Sequence, residues 1–470
     1  MSNATANRLV MTVQTSFKCP TELADNDVPP ALSDEGLALR FAAMHADQLR
    51  YVAAWGQWLL WDGKRWQIDS TLRAFDLSRH ICRASASQSE KPNVAAKVAS
   101  APTVAAVQRL ARADRRMAAT VDQWDTDPWL LNTPGGTVDL RTGAMYPPRR
   151  DGYMTKITAV SPGGECPIWC SFLDRVTGGN TDLASFLQRM AGYCLTGITR
   201  EHALFFIYGT GGNGKGVFLN TLTAILGDYS AVANVDAFTA TSGDRHPTDL
   251  AMLRGARFVT AQETEEGRRW AESRIKALTG GDPITARFMR QDFFTFTPHF
   301  KLVIAGNHKP GIRNVDDAMR RRLHLIPFTV KIAASERDPN LPDKLRAEWS
   351  GILRWAIQGT QEWLEHGLQP PAIVRDATDE YLAEEDLVER WIGECCAIAK
   401  SAQASMTDLF VSWREWCQRS GELEGSQKRF AQNLRTKRPE LTDWQCPKTR
   451  RLGLQGIQIV KQLASHWSDD

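Results

Sequence analysis

Two rhythms of apolar and polar positions follow one another along the chain. In the first part the apolar residues mostly recur at helical spacing. Ser33 is placed to cap a helix through Leu37, Phe41 and Met44, with Asp34 and Glu35 in its favourable first turn. Trp58-Leu-Leu-Trp61, Asp62-Gly63 and Trp66 predict a β-hairpin turning on Asp-Gly. Residues 70–120 are Ala-rich and helical, and 182–196 predict a helix with Leu183, Phe186, Leu187, Met190 and Cys194 on one face. Short strands and turns fit Trp129–Tyr153, around Gly135-Gly136 and Gly143.

From residue 203 the rhythm changes. Ala203–Tyr208, Arg257–Ala261 and Lys301–Ala305 are nearly unbroken apolar runs, with a helix predicted over about 215–226. Such runs suit strands covered on both faces, so this region predicts an α/β core with a mostly parallel sheet. Residues 341–395 return to helix, and 405–461 predict two helices and a Gly-punctuated strand pair. Residues 1–32 have no period and predict a tail. The domain expectation is therefore a tail over 1–32, an α+β domain over 33–195, the α/β core over 196–340, a helical segment over 341–400 and a C-terminal domain over 401–470.

Composition narrows the class without deciding it. At 470 residues, 43% hydrophobic and 24% charged, the chain has an ordinary globular make-up with room for several cores. No apolar run approaches the roughly 18–20 residues of a membrane span, so no membrane partner is expected. The polar N-terminus lacks the layout of a secretory signal, and the expected location is the cytoplasm of a bacterial host cell. The nine cysteines form no paired C-x-x-C pattern and are expected to be reduced structural thiols.

The net charge of +3 is a sum of unlike zones. Residues 1–250 hold 24 basic and 24 acidic side chains, 251–350 hold 18 and 12, 351–400 hold 4 and 10, and 401–470 hold 11 and 8. Basic surface is therefore to be sought after residue 250 and in the C-terminal unit rather than in 351–400.

The sharpest local signal is Gly209-Thr210-Gly211-Gly212-Asn213-Gly214-Lys215-Gly216, between a predicted strand and a predicted helix. It fits the phosphate loop G-x-x-x-x-G-K: small residues let backbone N–H groups approach phosphates, the helix N-terminus attracts the anion, and the lysine neutralises it. The expected ligand is ATP with Mg²⁺. One position departs from the pattern: Gly216 stands where Ser or Thr usually supplies a hydroxyl to the metal.

Other residues complete an expected hydrolytic site. The apolar strand Phe258–Ala261 ends in Gln262-Glu263, which suits a carboxylate beside Mg²⁺ and the attacking water, with Glu265 and Glu266 as alternates. Asn307, after Leu302–Gly306, suits a neutral group orienting that water. Arg321 and Arg322 precede an apolar run, and arginine suits a clamp on transition-state charge.

Phe258-Val-Thr-Ala-Gln-Glu-Thr-Glu-Glu, Ile275-Lys-Ala-Leu-Thr-Gly-Gly-Asp282, Phe300-Lys-Leu-Val-Ile-Ala-Gly-Asn307-His-Lys-Pro310 and Arg321-Arg-Leu-His-Leu-Ile-Pro-Phe328 follow the phosphate loop in that order. Together they resemble the superfamily 3 helicase domain of the phage and plasmid primase–helicase family, which is related to poxvirus primase–helicases. Asp125-Thr-Asp-Pro-Trp-Leu-Leu-Asn132 with Gly135–Leu140 resembles that family's pre-helicase domain, and Trp355-Ala-Ile-Gln-Gly to Trp363-Leu-Glu-His-Gly-Leu its helical segment after the ATPase.

The resemblance implies an AAA+-like P-loop ATPase core, a homo-hexameric ring and 3′→5′ translocation on single-stranded and forked DNA. By match, Lys215 holds phosphate, Glu263 serves metal and water, Asn307 is the sensor, and Arg321 or Arg322 reaches a neighbouring subunit's ATP. A separate primase or polymerase is an expected partner. An origin-melting initiator and a weakly hydrolysing ATP-binding platform are the alternatives.

Two DNA contacts are expected. The resemblance implies a hairpin projecting into the ring channel near Arg287, Phe288 and Arg290, suited to following a backbone. The C-terminal unit predicts a winged-helix domain, with Lys428, Arg429 and Arg435 on a helix and Arg450 and Arg451 on the wing. Asp125 and Asp127 are expected in a structural turn, and the clusters Trp55/Trp58/Trp61/Trp66 and Trp349/Trp355/Trp363 in core packing.

Overall fold

The computed structural model describes residues 28–240, 248–262, 268–290, 292–312, 315–447 and 449–460. The chain divides into two compact units. One comprises the residues up to Trp124 together with Arg149–Thr155, the other Asp125–Pro148 and the residues from Lys156 onward.

In the first unit, Ser33 caps the helix Asp34–His45 by accepting the Gly36 N–H at 3.1 Å. The helices Arg73–Ala86, Pro92–Val98 and Ala101–Ala111 follow. The strands Gln57–Trp61 and Trp66–Ile68 pair antiparallel as the predicted hairpin, with Asp62 Oδ1 accepting the N–H groups of Lys64 and Arg65 at 2.8 Å. Residues 149–155 complete the surroundings of Trp66, whose Nε1 donates to Arg150 O at 2.9 Å and whose ring stacks with Tyr153. The Trp58 and Trp66 side chains are buried, so these rings are core.

The second unit is built on a parallel sheet of five strands: β1 Leu204–Tyr208, β2 Ser230–Val232, β3 Phe258–Gln262, β4 Lys301–Gly306 and β5 Leu323–Pro327. Their order across the sheet is β5-β1-β4-β3-β2, all neighbours being parallel. Alternate residues feed two cores. Phe205, Ile207, Val303 and Ala305 enter one with the helices Thr181–Leu195 and Trp349–His366, while Leu204, Phe206, Leu302 and Ile304 enter the other. This double burial is why the strands are apolar without alternation.

The boundary expected at residue 195 is not where the units divide. Residues 125–148 and 156–195 pack with the parallel sheet, fastened by two buried cations at the N-terminal ends of β3 and β4. Arg257 donates to Leu195 O and Leu130 O, both at 2.8 Å, and to Asp127 O at 3.2 Å. Lys301 donates to Thr196 O. Carbonyls at a helix C-terminus suit a cation, and these buried charges would otherwise be costly. Asp127 Oδ1 also accepts the Trp129 N–H at 2.8 Å, as a structural turn residue does.

The helices Trp349–His366 and Thr181–Leu195 cross in backbone contact. A Cβ built on Gly192 would lie 2.1 Å from Thr360 N, and one on Gly359 would lie 2.1 Å from Gln188 O. On the opposite core, Ala372–Glu385 packs against β5, with Thr378 Oγ1 accepting the Leu325 N–H at 2.9 Å.

The C-terminal module runs helix Leu387–Cys395, strand Cys396–Ser405, helices Met406–Ser420 and Gln427–Lys437, then strands Thr442–Gln445 and Leu452–Ile459. The three strands form one antiparallel sheet, with Leu452–Ile459 in the middle. Trp391, Trp413, Trp416 and Phe430 form its core, so the module begins at the helix Leu387–Cys395 rather than at residue 401. The first strand was not expected, because Cys-Ala-Ile-Ala-Lys-Ser-Ala-Gln-Ala-Ser has few β-forming residues and no clean alternation. The eight described cysteines are free thiols, and burial pushes Cys194, Cys396 and Cys417 up to about 12. Among the described residues no helix is long and apolar enough to cross a membrane.

One packing detail gives a pH dependence. His324 in β5 stacks on Phe205 at 5.4 Å, and burial lowers its pKa to about 4. The folded ring therefore stays neutral while the unfolded chain takes up a proton near 6.5. His324's contribution to stability is complete above pH 6.5 and is lost progressively as pH falls toward 4, by up to about 3 kcal/mol. Urea unfolding from pH 7 to 4.5 should show this slope, and His324→Phe should flatten it.

Candidate functional site

The loop Gly209–Gly214 leaves the C-terminal end of β1 and enters the helix Lys215–Leu226. Gly211, Gly212 and Gly214 have φ values of +89°, +65° and +86°, a backbone that L side chains rarely adopt. At Gly214 the space is also closed, since a Cβ would lie 2.6 Å from Val176 Cγ1 and 3.0 Å from Phe172 Cε2. Asn213 pins the loop by donating from Nδ2 to Phe328 O at 2.6 Å, just past the end of β5.

Lys215 is 8% exposed. Its ammonium donates to Gly209 O at 2.5 Å, Asn213 Oδ1 at 3.1 Å and Asn307 Oδ1 at 3.2 Å. All three acceptors are neutral oxygens, and burial lowers the lysine's pKa from its ordinary value. Among the described residues no carboxylate pairs with Lys215, and a buried cation held by neutral oxygens suits an anion.

The sheet order explains why Lys215 and Asn307 meet. β1 and β4 are neighbours, yet the chain leaves β1 toward one sheet edge and β4 toward the other. Open α/β sheets place ligands beyond the strand C-termini at such a reversal. Next to β4, Gln262 at the end of β3 donates to Asn220 Oδ1 on the helix Lys215–Leu226 at 3.0 Å. Glu263, Glu265 and Glu266 lie outside the described residues. A Cβ at Gly216 would meet nothing within 4 Å, so the missing hydroxyl is not a steric exclusion. Thr210 is exposed on the loop. Among the described residues no group of three His, Cys, Asp or Glu is arranged to hold a metal ion.

Arg321 and Arg322 are not near Lys215. They precede Leu323, which pairs with Leu204 at the start of β1, whereas the Gly-rich loop follows Tyr208 at its end. Five residues of strand, about 16 Å, separate the two edges. Arg322 is engaged within the chain, donating to Thr279 Oγ1 at 3.2 Å and Ala318 O at 2.9 Å. Arg321 is exposed.

In the region where a hairpin was expected, Ile284–Ala286 pairs antiparallel with Phe294–Phe296. Phe288 is not at its exposed surface; it packs on Phe294 at 5.5 Å against the core. The exposed apolar residues are Met289 and Phe293, at 74% and 60%. Arg287 lies over the Phe293 ring at 4.8 Å, and Arg290 is exposed with φ +61°. The sequence holds four phenylalanines here, Phe288, Phe293, Phe294 and Phe296, and no register to choose among them.

In the C-terminal module Lys428, Arg429, Arg450 and Arg451 are exposed. Arg435 instead pairs with Asp443 at 2.6 Å. Lys437 pairs with Asp386 at 2.6 Å and Arg438 with Glu389, tying the helix Gln427–Lys437 to the turn and helix around Leu387.

Residues 38–178 match the family described as D5 N terminal like, and residues 207–322 match a family of unknown function, DUF5906. A presumed helicase of Acanthamoeba polyphaga mimivirus is 28% identical over 255 residues, covering 50% of this chain and 27% of that protein. A presumed helicase of Frog virus 3 is 25% identical over 49% of this chain and 26% of the relative. A presumed primase of African swine fever virus is 24% identical over 48% of this chain and 26% of the relative. The matches thus span about a quarter of the length of these relatives. Among solved structures, the apo C-terminal region of NrS-1 aligns with a TM-score of 0.49 at 9% identity, over 91% of this chain and 100% of that one. Over these segments the chain thus resembles viral proteins described as presumed helicases and primases, and carries a D5 N terminal like region.

Proposed function

We propose that this protein is an ATP-driven DNA helicase of the superfamily 3 type, with an AAA+-like core, acting in replication of a phage, prophage or plasmid-like element. The observation that carries the reading is Lys215: a buried ammonium held by neutral oxygens at the joint of the phosphate loop and β4, where a triphosphate would supply the missing negative charge. The loop N–H groups and Lys215 bind and orient the phosphates, and Asn307 orients the attacking water. Mg²⁺, when bound, neutralises phosphate charge, and Glu263 is the proposed carboxylate for it. Because Arg321 lies at the far edge of the sheet, the transition-state arginine would come from a neighbouring subunit, which supports a ring and favours Arg321 over the engaged Arg322.

Strand separation would use the hairpin carrying Arg287, Arg290 and Phe293, contacting single-stranded DNA without regard to sequence. The C-terminal order helix–strand–helix–helix–strand–loop–strand supports reading this module as a winged helix, in which Lys428 and Arg429 on the third helix and Arg450 and Arg451 before the last strand would meet DNA.

The test is ATP hydrolysis and unwinding of forked duplexes. Single-stranded DNA should stimulate hydrolysis, and a 3′ tail should be required for unwinding. Unwinding from a 5′ tail alone would reverse the proposed polarity, and a complete absence of hydrolysis would favour a nucleotide-binding platform.

A further inference from the structure

The phosphate loop has a second cation at its rim that the sequence motif does not contain. Arg337 follows the turn Ala334–Glu336, past the end of β5. Its guanidinium lies directly on Gly212: a Cβ built there would be 2.4 Å from Nη2 and 3.1 Å from Cζ. The segment is fastened to the loop by Ile332, whose N–H donates to Gly212 O at 2.9 Å and whose carbonyl accepts Arg337 Nε at 3.2 Å. The neighbouring acids are engaged elsewhere: Glu336 with Arg175 at 2.6 Å and Asp338 with Lys344 at 2.7 Å. Among the described residues no carboxylate pairs with Arg337, which is exposed.

We infer that Arg337 is a phosphate-binding residue of the same chain's nucleotide site, a second fixed positive charge beside Lys215. This rests on the ATP-site reading above and extends it. The arginine meets a local need. Gly216 removes the hydroxyl that ordinarily helps hold the metal against the phosphates, so less positive charge is fixed at that corner of the loop. A guanidinium offers several donors to phosphate oxygens without any need for the metal. Its one bond to Ile332 O orients the fork and leaves both terminal nitrogens for ligand.

The experiment is binding of ATP, ADP and inorganic pyrophosphate to the full chain, with and without Mg²⁺, measured by calorimetry for wild type, Arg337→Ala, Arg337→Lys and Lys215→Ala. Arg337→Ala should weaken ATP and pyrophosphate by about tenfold to a hundredfold, the range of a bond to a charged group. The loss should be largest without Mg²⁺, Arg337→Lys should restore part of it, and the melting temperature of the ligand-free protein should stay the same. Unchanged or tighter pyrophosphate binding in Arg337→Ala overturns the inference, tighter binding meaning that the guanidinium only covers the loop. If Lys215→Ala also binds ATP normally, the nucleotide-site reading fails. If only Arg337→Ala is silent, that reading stands and this one falls.

Discussion

Replacing Lys215 by Ala or Met should abolish nucleotide-driven work while leaving the protein folded. The ammonium is buried, takes three neutral acceptors and has its pKa lowered by burial, a desolvation cost that a bound phosphate would offset. Removing a fixed group that stabilises charge costs about 10²–10³ in turnover. The same change removes a buried charge that no carboxylate among the described residues compensates, so ligand-free Lys215→Met should match or exceed the wild type's stability, by up to about 2 kcal/mol. Wild type at a nucleotide concentration of about 100 Kd should gain about 2.7 kcal/mol, and the variant nothing. Thermal melts with and without ATP, beside an ATPase assay, read all three. A variant that melts well below wild type would mean that Lys215 is structural.

The second large effect is expected at a position with no chemistry. Gly192→Val should cost about 3 kcal/mol or more. A first side-chain carbon there meets Thr360 N at 2.1 Å and Gly359 C at 2.2 Å, backbone atoms of a helix that cannot withdraw alone. Thr360 Oγ1 also donates to Gly192 O at 2.9 Å, a bond that separating the helices would break. Gly393 is the control, being a helix glycine whose added Cβ would meet nothing within 4 Å. Gly393→Ala should be neutral or stabilising by about 1 kcal/mol, the ordinary preference for alanine in a helix. The unfolding free energies of the two variants, from denaturant titration, should move in opposite directions or differ by several kcal/mol.

These sites differ in how far they could be read beforehand. The helix cap at Ser33, the Asp62-Gly63 hairpin and the helix beginning at Lys215 lie in short stretches whose residues dictate their own backbone, and they appear as expected. Asn307 was legible because an apolar run ends there and a strand must end with it. Arg337 was not, because it lies more than a hundred residues from the loop it covers and its own surroundings read as a polar turn. The same holds for Gly192 against Gly359, and for Arg257 and Lys301. Their roles exist only once distant carbonyls have been brought to them. Those two buried cations are also why the boundary at 195 misled: the composition changes at 203, but the packing does not divide there.

The return of residues 149–155 to the first unit has a consequence for inheritance and for gene dissection. The chain passes between units at three places: after Trp124, after Pro148 and after Thr155. One nick by a protease at any of them leaves the pieces joined or held by packing, so a single cleavage should not release a free fragment. A single recombination junction likewise cannot transplant the first unit. A graft ending at Trp124 leaves behind Met154, whose carbonyl accepts the Trp66 N–H, and Tyr153, which stacks on that ring. The two units therefore travel as one cassette, unlike beads on a string.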